Sequence, residues 1–202
     1  MAGISGWILT ILLQKAADPA VKLVIWCNPH NPTGRVWTES EAREVAGIIE
    51  KNGLWVISDE IHCDLIRRGV TFTPIMNVAS EYADRIVVCT APSKTFNLAG
   101  MKTSNIVIHN KELQKKWKDY VNGSLSMDGA SALGMTAMIA AYTEGEEWLE
   151  QLKDYLDGNF AYIDEYLKKY LPKAHLVKAE EPTSRGLIST DTLTGMRKNW
   201  KN

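Results

Sequence analysis

Three polar side chains follow the ends of predicted strands, and their types suit a single catalytic site. Asn31, Asp59 and Lys94 each come shortly after an apolar run of strand length. The three runs lie at residues 21–26, 54–58 and 85–90. Asn31 and Asp59 are 28 residues apart, and Asp59 and Lys94 are 35 residues apart. Each interval fits a strand–helix–strand unit of about 30 residues. Because successive parallel strands end on one sheet edge, where open α/β sheets bind ligands, we expect the three side chains to meet there.

An amine, a carboxylate and an amide at one site are suited to pyridoxal-phosphate chemistry. The amine of Lys94 could hold the cofactor as a Schiff base and later act as a base on the α-proton of the substrate. The carboxylate of Asp59 would keep the pyridine nitrogen protonated, so that the ring accepts electrons. The amide of Asn31 offers a hydrogen-bond donor to the phenolic oxygen of the cofactor.

Other side chains lie near these positions in sequence and could complete such a site. His62 follows Asp59 by three residues and could reach the same edge of the cofactor ring. Ser93 and Lys102 lie close to Lys94 and could neutralise a phosphate group. Lys94 is the candidate catalytic residue, and the candidate cofactor-binding residues are Asn31, Asp59, His62, Ser93, Lys94 and Lys102.

Each of these residues also has a purely structural interpretation. An asparagine before proline is commonly a turn former, so Asn31 could have no other role. Asp59 and Glu60 could form a metal-binding pair or cap a helix, and His62 could pack in the core. Lys94 could be an exposed loop lysine. The functional hypothesis therefore depends on the three strand ends together and not on any one residue.

The composition is that of an ordinary globular protein without strong charge. The chain has 202 residues, of which 45% are hydrophobic and 23% charged, and its formal net charge is −1. This balance gives no reason to expect binding to nucleic acid or to an acidic membrane surface. The apolar run at residues 7–13 is too short to cross a bilayer, so we predict no membrane association.

The cysteines give an indication of the compartment. Cys27, Cys63 and Cys89 lie in or beside predicted strands. An odd number of buried thiols fits a reducing compartment better than a disulfide framework, so we predict a cytoplasmic protein. Cys27 and His30 have the spacing of half a zinc site, but no matching second half is present, which argues against a metal site.

The hydrophobic pattern predicts strands that alternate with helices. Thr38 and Glu41 form a capping-box pattern at the start of a helix, and Asn52-Gly53 marks its end. A fourth strand is expected at residues 104–109. Further helices are expected at residues 76–84, 111–121, 130–142 and 146–170. The segment 130–142 has almost no charge, so we expect it to be buried on most sides. Such alternation predicts the α/β class, with a mostly parallel sheet and helices on both faces.

Three motifs at the strand ends resemble those of the fold-type I pyridoxal-phosphate enzymes, in the class I/II aminotransferase family. They are Asn28-Pro29-His30-Asn31-Pro32-Thr33-Gly34, Asp59-Glu60-Ile61-His62 and Ser93-Lys94-Thr95-Phe96-Asn97-Leu98-Ala99-Gly100. Within the family, the runs at residues 35–37 and 91–94 look most like the cystathionine β-lyase (C–S lyase) branch.

The resemblance implies a role for each of the candidate residues. It implies that Lys94 holds pyridoxal 5'-phosphate, that Asp59 binds the pyridine nitrogen and that Asn31 binds the phenolic oxygen. It places His62 where many transaminases have a tyrosine, and Lys102 where many members have a phosphate-binding arginine.

The resemblance covers residues 15–178, and both ends of the chain depart from it. It implies an atypical N-terminal segment at 1–14 and a cofactor-binding large-domain core at 15–145. A connecting helix and the start of the small domain follow at 146–178, and an atypical tail at 179–202. Family members are longer, so most of the small domain is not expected in this sequence. A frame shift near each end would account for both departures.

The resemblance also implies an activity. We expect a homodimeric enzyme that acts on amino acids, with β-elimination from a sulfur amino acid such as cystathionine as the favoured reaction. That reaction gives a thiol, pyruvate and ammonia. Aminotransfer is an alternative, because both reactions begin with proton abstraction by the lysine. A truncated core that catalyses nothing is a further alternative, since the family's glycine-containing phosphate loop and substrate-clamping arginine are not recognisable here.

Overall fold

A four-stranded sheet forms the centre of the fold. The computed structural model describes residues 2–127, 129–176, 179–180 and 188–190, so most of the tail predicted at 179–202 lies outside the described residues. The strands are β1 (Leu23–Cys27), β2 (Trp55–Asp59), β3 (Ile86–Thr90) and β4 (Asn105–Ile108). They lie side by side in sequence order, with β1, β2 and β3 parallel and β4 antiparallel to β3. The predicted mostly parallel sheet is confirmed.

Helix α2 (Glu39–Lys51) covers one face of this sheet, and the predicted capping box is present at its start. The backbone N–H of Glu41 donates to Thr38 Oγ1 at 3.3 Å, and that of Thr38 donates to Glu41 Oε2 at 2.9 Å. Its buried residues meet the inward-facing residues of the strands in the main core. The helix ends before Gly53, whose φ of +61° is a conformation that glycine adopts without steric cost.

The N-terminal apolar run forms a helix, α1 (Ala2–Ala16), that packs against α2. Leu9 and Ala16 are buried in the main core. No helix among the described residues is long and apolar enough to cross a membrane.

The opposite face of the sheet is only partly covered, by α4 (Lys111–Lys118). Leu113 and Trp117 of this helix line an apolar cavity of about 260 Å³ against the outward-facing residues of the strands. Ile25 on the edge strand β1 remains 71% exposed. Helices therefore lie on both faces, as predicted, although one face is less fully covered than is usual for parallel strands.

Two of the segments predicted as helices are not regular α-helices over their whole length. The segment predicted as helix at 76–84 consists of two short 3₁₀ helices, Ile75–Asn77 and Ser80–Arg85. The second leads directly into β3, and both have the short length that is usual for 3₁₀ turns in connecting segments. The helix predicted at 111–121 leaves α geometry at Lys118 and continues as a π-helical turn, Asp119–Ser124.

Helix α5 (Ala132–Glu144) forms as predicted, but the expectation that it is buried on most sides is wrong. Among its residues only Gly134 is buried, whereas Leu133 is 76% and Ile139 57% exposed. The helix contacts α6 (Glu146–Tyr170) and α3 (Pro92–Thr95) along one side, and nothing in the described chain covers the other. The low charge content of α5 therefore reflects an exposed apolar surface on one side of the helix, and not burial of the helix on most sides.

Helix α6 confirms the predicted bounds 146–170 and is attached to the sheet by ion pairs. Arg67 and Arg68, in the loop that follows β2, bind Asp157 and Asp154 of this helix. A two-stranded antiparallel pair follows, β5 (Ala174–Leu176) with β6 (Ile188–Thr190).

Candidate active site

Asp59 lies at the carboxyl end of the central parallel strand β2, between the ends of its two neighbours. Strand register places it beside Cys27 on one side and Cys89 on the other. The carboxylate is half-buried, and its Oδ1 accepts a hydrogen bond from the backbone N–H of Ile61 at 3.3 Å. The position at the strand end, which the sequence predicts, puts one negative group in the middle of the sheet edge.

The thiols of Cys63 and Cys89 are protonated at neutral pH. Burial raises the pKa of Cys89, and the negative charges of Asp59 and Glu60 add to the effect. For Cys63, burial and the neighbouring charge of Asp64 raise the pKa to about 12. Since the thiolate is the nucleophile, we do not expect these cysteines to carry the chemistry.

Lys94 lies in α3, a single helical turn that follows β3. Pro92 begins this turn, where its missing N–H costs nothing. The side chain of Lys94 is exposed, and that of Ser93 beside it is half-buried. The following residue, Thr95, is fully buried, and its Oγ1 donates to Asp64 Oδ2 at 2.8 Å. The lysine is therefore accessible, while its backbone is attached to the segment that follows Asp59.

Asn31 lies in an exposed turn after β1. The base of this turn is held by buried Asn28, whose Oδ1 accepts from the backbone N–H of Trp37 at 3.1 Å. Backbone hydrogen bonds from His30 to Arg35 and from Gly34 to His30 close the loop. The turn therefore places residue 31 after the carboxyl end of β1, at the same sheet edge as Asp59.

His62 and Lys102 occupy different environments at this edge. His62 is buried, with only 4% of its surface exposed, in the turn after β2. Lys102 is exposed and adopts a left-handed backbone conformation, with φ of +51°, directly after the 3₁₀ turn Ala99–Met101. The burial of His62 fits the packing interpretation as well as a role beside a ligand.

The second carboxylate of the Asp59-Glu60 pair has a structural role. Glu60 is 5% exposed, and its Oε1 accepts from Ser58 Oγ at 2.8 Å and from the backbone N–H of Ile75 at 3.1 Å. Burial raises its pKa. Within the described residues, no group of three or more His, Cys, Asp or Glu side chains is arranged to hold a metal ion.

Sequence reasoning missed two residues that shape the site, Asn28 and Asp64. Asn28 belongs to the first motif and precedes a proline, so its sequence context suggests only a turn. Asp64 bonds Thr95, 31 positions away, and no pattern in the sequence marks that pairing. Both act through contacts between distant parts of the chain.

Comparison with known proteins assigns the family. The family model described as aminotransferase class I and II matches residues 8–181. Cystathionine beta-lyase PatB from Bacillus subtilis (strain 168) is 37% identical over 169 residues, which are 84% of this chain and 43% of PatB.

Solved structures of related enzymes share the fold. The pyridoxal-phosphate-bound C-S lyase from Staphylococcus hominis has a TM-score of 0.81 at 36% identity, over 96% of this chain and 47% of that one. Cystalysin from Treponema denticola, which contains a pyridoxal 5'-phosphate cofactor, has a TM-score of 0.82 at 30% identity, over 94% and 49%. The chain spans less than half the length of these relatives. The match over most of its own length shows that the chain belongs to the class I and II aminotransferase family.

Proposed function

We propose that this protein is a pyridoxal-phosphate enzyme that acts on amino acids and cleaves the carbon–sulfur bond of a substrate such as cystathionine. The observation that carries the proposal is the placement of Asp59 at the centre of the parallel sheet edge, with Lys94 in the first turn after the adjacent strand. The relatives named as cystathionine β-lyase and C–S lyase support the reaction type.

The residues at the edge fit the cofactor. A half-buried carboxylate, Asp59, is suited to a protonated pyridine nitrogen, and the exposed amine of Lys94 is suited to an aldehyde. The exposed amide of Asn31 would donate to the phenolic oxygen. Ser93 and Lys102 supply a hydroxyl and a positive charge for the phosphate. His62, buried in the turn after β2, would pack against the ring.

The side chains of this protein would divide the chemistry between them. Pyridoxal phosphate, when bound, withdraws electrons from the α-carbon of the substrate. The carboxylate of Asp59 would hold a proton on the ring nitrogen. Nζ of Lys94 takes the α-proton from the substrate.

The reaction that follows removes the sulfur. The electron pair left by the α-proton forms a Cα–Cβ double bond as the Cβ–S bond breaks, and the leaving thiolate takes up a proton. Hydrolysis of the remaining enamine consumes water and gives pyruvate and ammonia, so the products are a thiol, pyruvate and ammonia. Aminotransfer is the second candidate, because the matched family model carries that name. It differs in that the Cβ–S bond of the substrate stays intact and the amino group is transferred to an acceptor.

We further propose that the enzyme is a homodimer in the cytoplasm. The exposed apolar side chains of α5, including Leu133 and Ile139, support self-association, because an exposed patch of this kind commonly marks an interface. The absence of any disulfide among the three cysteines fits a reducing compartment. Sedimentation equilibrium tests the dimer, with twice the chain mass of 22.6 kDa expected.

The test of the cofactor site is to trap pyridoxal phosphate on the protein with borohydride and locate it by peptide mass spectrometry. We expect the unsubstituted chain to carry the adduct on Lys94 and Lys94→Ala to carry none there. Lys115→Ala, at an exposed lysine of α4, is the matched control and should keep the adduct.

A label spread over many surface lysines, or one that Lys94→Ala does not remove, would refute the assignment. Either result would favour the alternative that the chain is a truncated core that catalyses nothing. Where the adduct forms on Lys94, release of pyruvate and thiol from cystathionine distinguishes the lyase from an aminotransferase, which would release neither.

A further inference from the structure

One hydrogen bond joins the segment that carries Asp59 to the helix that carries Lys94. Thr95 immediately follows the lysine and is fully buried, and its Oγ1 donates to Asp64 Oδ2 at 2.8 Å. Asp64 lies five residues after Asp59 and two after His62. The bond therefore spans the two strand ends whose side chains the proposed chemistry uses.

The helix that carries the lysine needs such an external contact. Helix α3 has four residues, and a single turn is not stable by itself in water. No side chain caps its start, and its closing backbone bond runs from the N–H of Phe96 to the carbonyl of Pro92. Because the side chain of Lys94 is exposed, packing of that side chain cannot fix its position. The orientation of the amine depends on what holds the residues on either side.

Two contacts supply that support, one polar and one apolar. The apolar one is Phe96, whose ring meets Tyr142 at a centroid distance of 5.6 Å and Trp148 at 5.9 Å. The polar one is the bond from Thr95 to Asp64. Tyr142 also lies close enough to this carboxylate that burial, followed by the charges of Asp64 and Cys63, raises the pKa of Tyr142 to about 12. The half-buried Asp64 carboxylate thus lies near one of the aromatic rings that support Phe96.

We propose that Asp64 and Thr95 are positioning residues for Lys94. Their hydrogen bond keeps the helical turn closed and holds the amine at the sheet edge beside Asp59. The inference rests on the proposed function, in which Lys94 is the residue that binds the cofactor aldehyde. Without the bond the turn would open more often, and the amine would spend less time in the reactive orientation.

Two readouts test the proposal on the whole chain. The first is amide hydrogen exchange at Phe96, which reports opening of the turn and requires no cofactor. The second is the rate at which pyridoxal phosphate becomes trappable on Lys94. Thr95→Val, which removes the hydroxyl and keeps the shape, should speed exchange and slow adduct formation, each by about tenfold. Thr95→Ser keeps the hydroxyl and should restore both.

Two further variants separate positioning from a general loss of stability. Asp64→Ala removes the same bond from the other partner, so it should reproduce the effect of Thr95→Val, and the double variant should be no worse than either one. Ile49→Val shortens a buried side chain of the main core, away from α3, and should leave both readouts unchanged.

Equal readouts for Thr95→Val and Ile49→Val, or additive effects in the double variant, would overturn the proposal. Absence of any adduct in the unsubstituted protein would overturn the proposed function and with it the role of Lys94. Exchange at Phe96 would then still decide whether the bond closes the turn, because that measurement does not involve the cofactor.

Discussion

At the scale of single residues, the two adjacent carboxylates at the end of β2 have different tasks because their surroundings differ. Asp59 is half-buried at the sheet edge, where a ligand could reach it. Glu60 is buried, and it holds Ser58 and the backbone of Ile75. One carboxylate is therefore available for chemistry, and the other stabilises the loop around it.

The burial of Glu60 leads to a prediction about pH. Its pKa is raised above the ordinary value of 4.5, so ionising this carboxyl in the fold costs free energy at neutral pH and costs nothing below 4.5. Glu60→Gln keeps the oxygen acceptor without the charge and should stabilise the protein at pH 7 by on the order of 1 kcal/mol. The gain should disappear as the pH falls towards 4.5, in urea denaturation measured across this range.

Glu41→Gln is the control, because this substitution is expected to lower the stability at pH 7 and not to raise it. Burial alone would raise the pKa of Glu41, but hydrogen bonds from Thr38 and Arg35 outweigh it and lower the pKa. The substitution should therefore destabilise the protein at pH 7. This loss of stability should become smaller in acid, because the wild-type carboxylate is then protonated. The same pH trend in both variants would contradict these assignments.

At the scale of elements, the junction between α5 and α6 is shaped to receive the aromatic ring that holds α3. Gly145 ends one helix and precedes the other, and a Cβ built on it would lie 2.6 Å from Cε1 of Phe96. It would also lie 2.3 Å from the carbonyl oxygen of Ala141, which cannot move without disturbing the helix. Position 145 therefore requires glycine, because any side chain there would clash with Ala141 and Phe96.

Gly145→Ala should destabilise the protein by about 1–3 kcal/mol, because the added methyl group displaces the Phe96 ring. It should also slow trapping of pyridoxal phosphate on Lys94, since α3 would lose its apolar support. Gly158→Ala is the matched control, because nothing lies within 4 Å of the added carbon in α6. It should stabilise by about 0.5–1 kcal/mol. Thermal denaturation distinguishes the two, and a loss of stability in the control would contradict this description.

At the scale of the whole molecule, Arg67 connects the sheet edge, α6 and the residues that follow α6. Its guanidinium binds Asp157 at 2.5 Å and the carbonyl oxygen of Ala179 at 3.2 Å, and it lies 4.7 Å from the ring centroid of Phe160. Its backbone N–H donates to the carbonyl of Glu180 at 3.0 Å. The neighbouring Arg68 is exposed, and it binds Glu150 and Asp154 of the same helix.

The two arginines should differ in their effect on stability. Arg67→Met leaves a half-buried carboxylate without its partner and should lower the free energy of unfolding by about 1–2 kcal/mol. Arg68→Met should change stability little, because its ion pairs are exposed and screened by solvent. Urea denaturation of the two variants, which carry the same substitution at adjacent positions, makes the comparison. Similar losses of stability in the two variants would show that burial of the Arg67–Asp157 pair does not determine its contribution to stability.

Much of the fold could be predicted from the sequence, because it depends on local patterns. Apolar runs of strand length define β1 to β4, and the start of α2 is marked by a cap between Thr38 and Glu41, which are only three positions apart in sequence. The order of the three motifs led to the family, which comparison confirms over residues 8–181. The division into domains and the roles of the six candidate site residues remain predictions.

Tertiary structure alone decided the features that depend on contacts between distant residues. Sequence could place Lys94 after a strand, but not the bond from Thr95 to Asp64 that holds its helix. It could identify the apolar character of α5, but not that one side of this helix stays exposed. Periodicity and caps are encoded within a few residues of each other, whereas burial and long-range hydrogen bonds are set by how the elements pack.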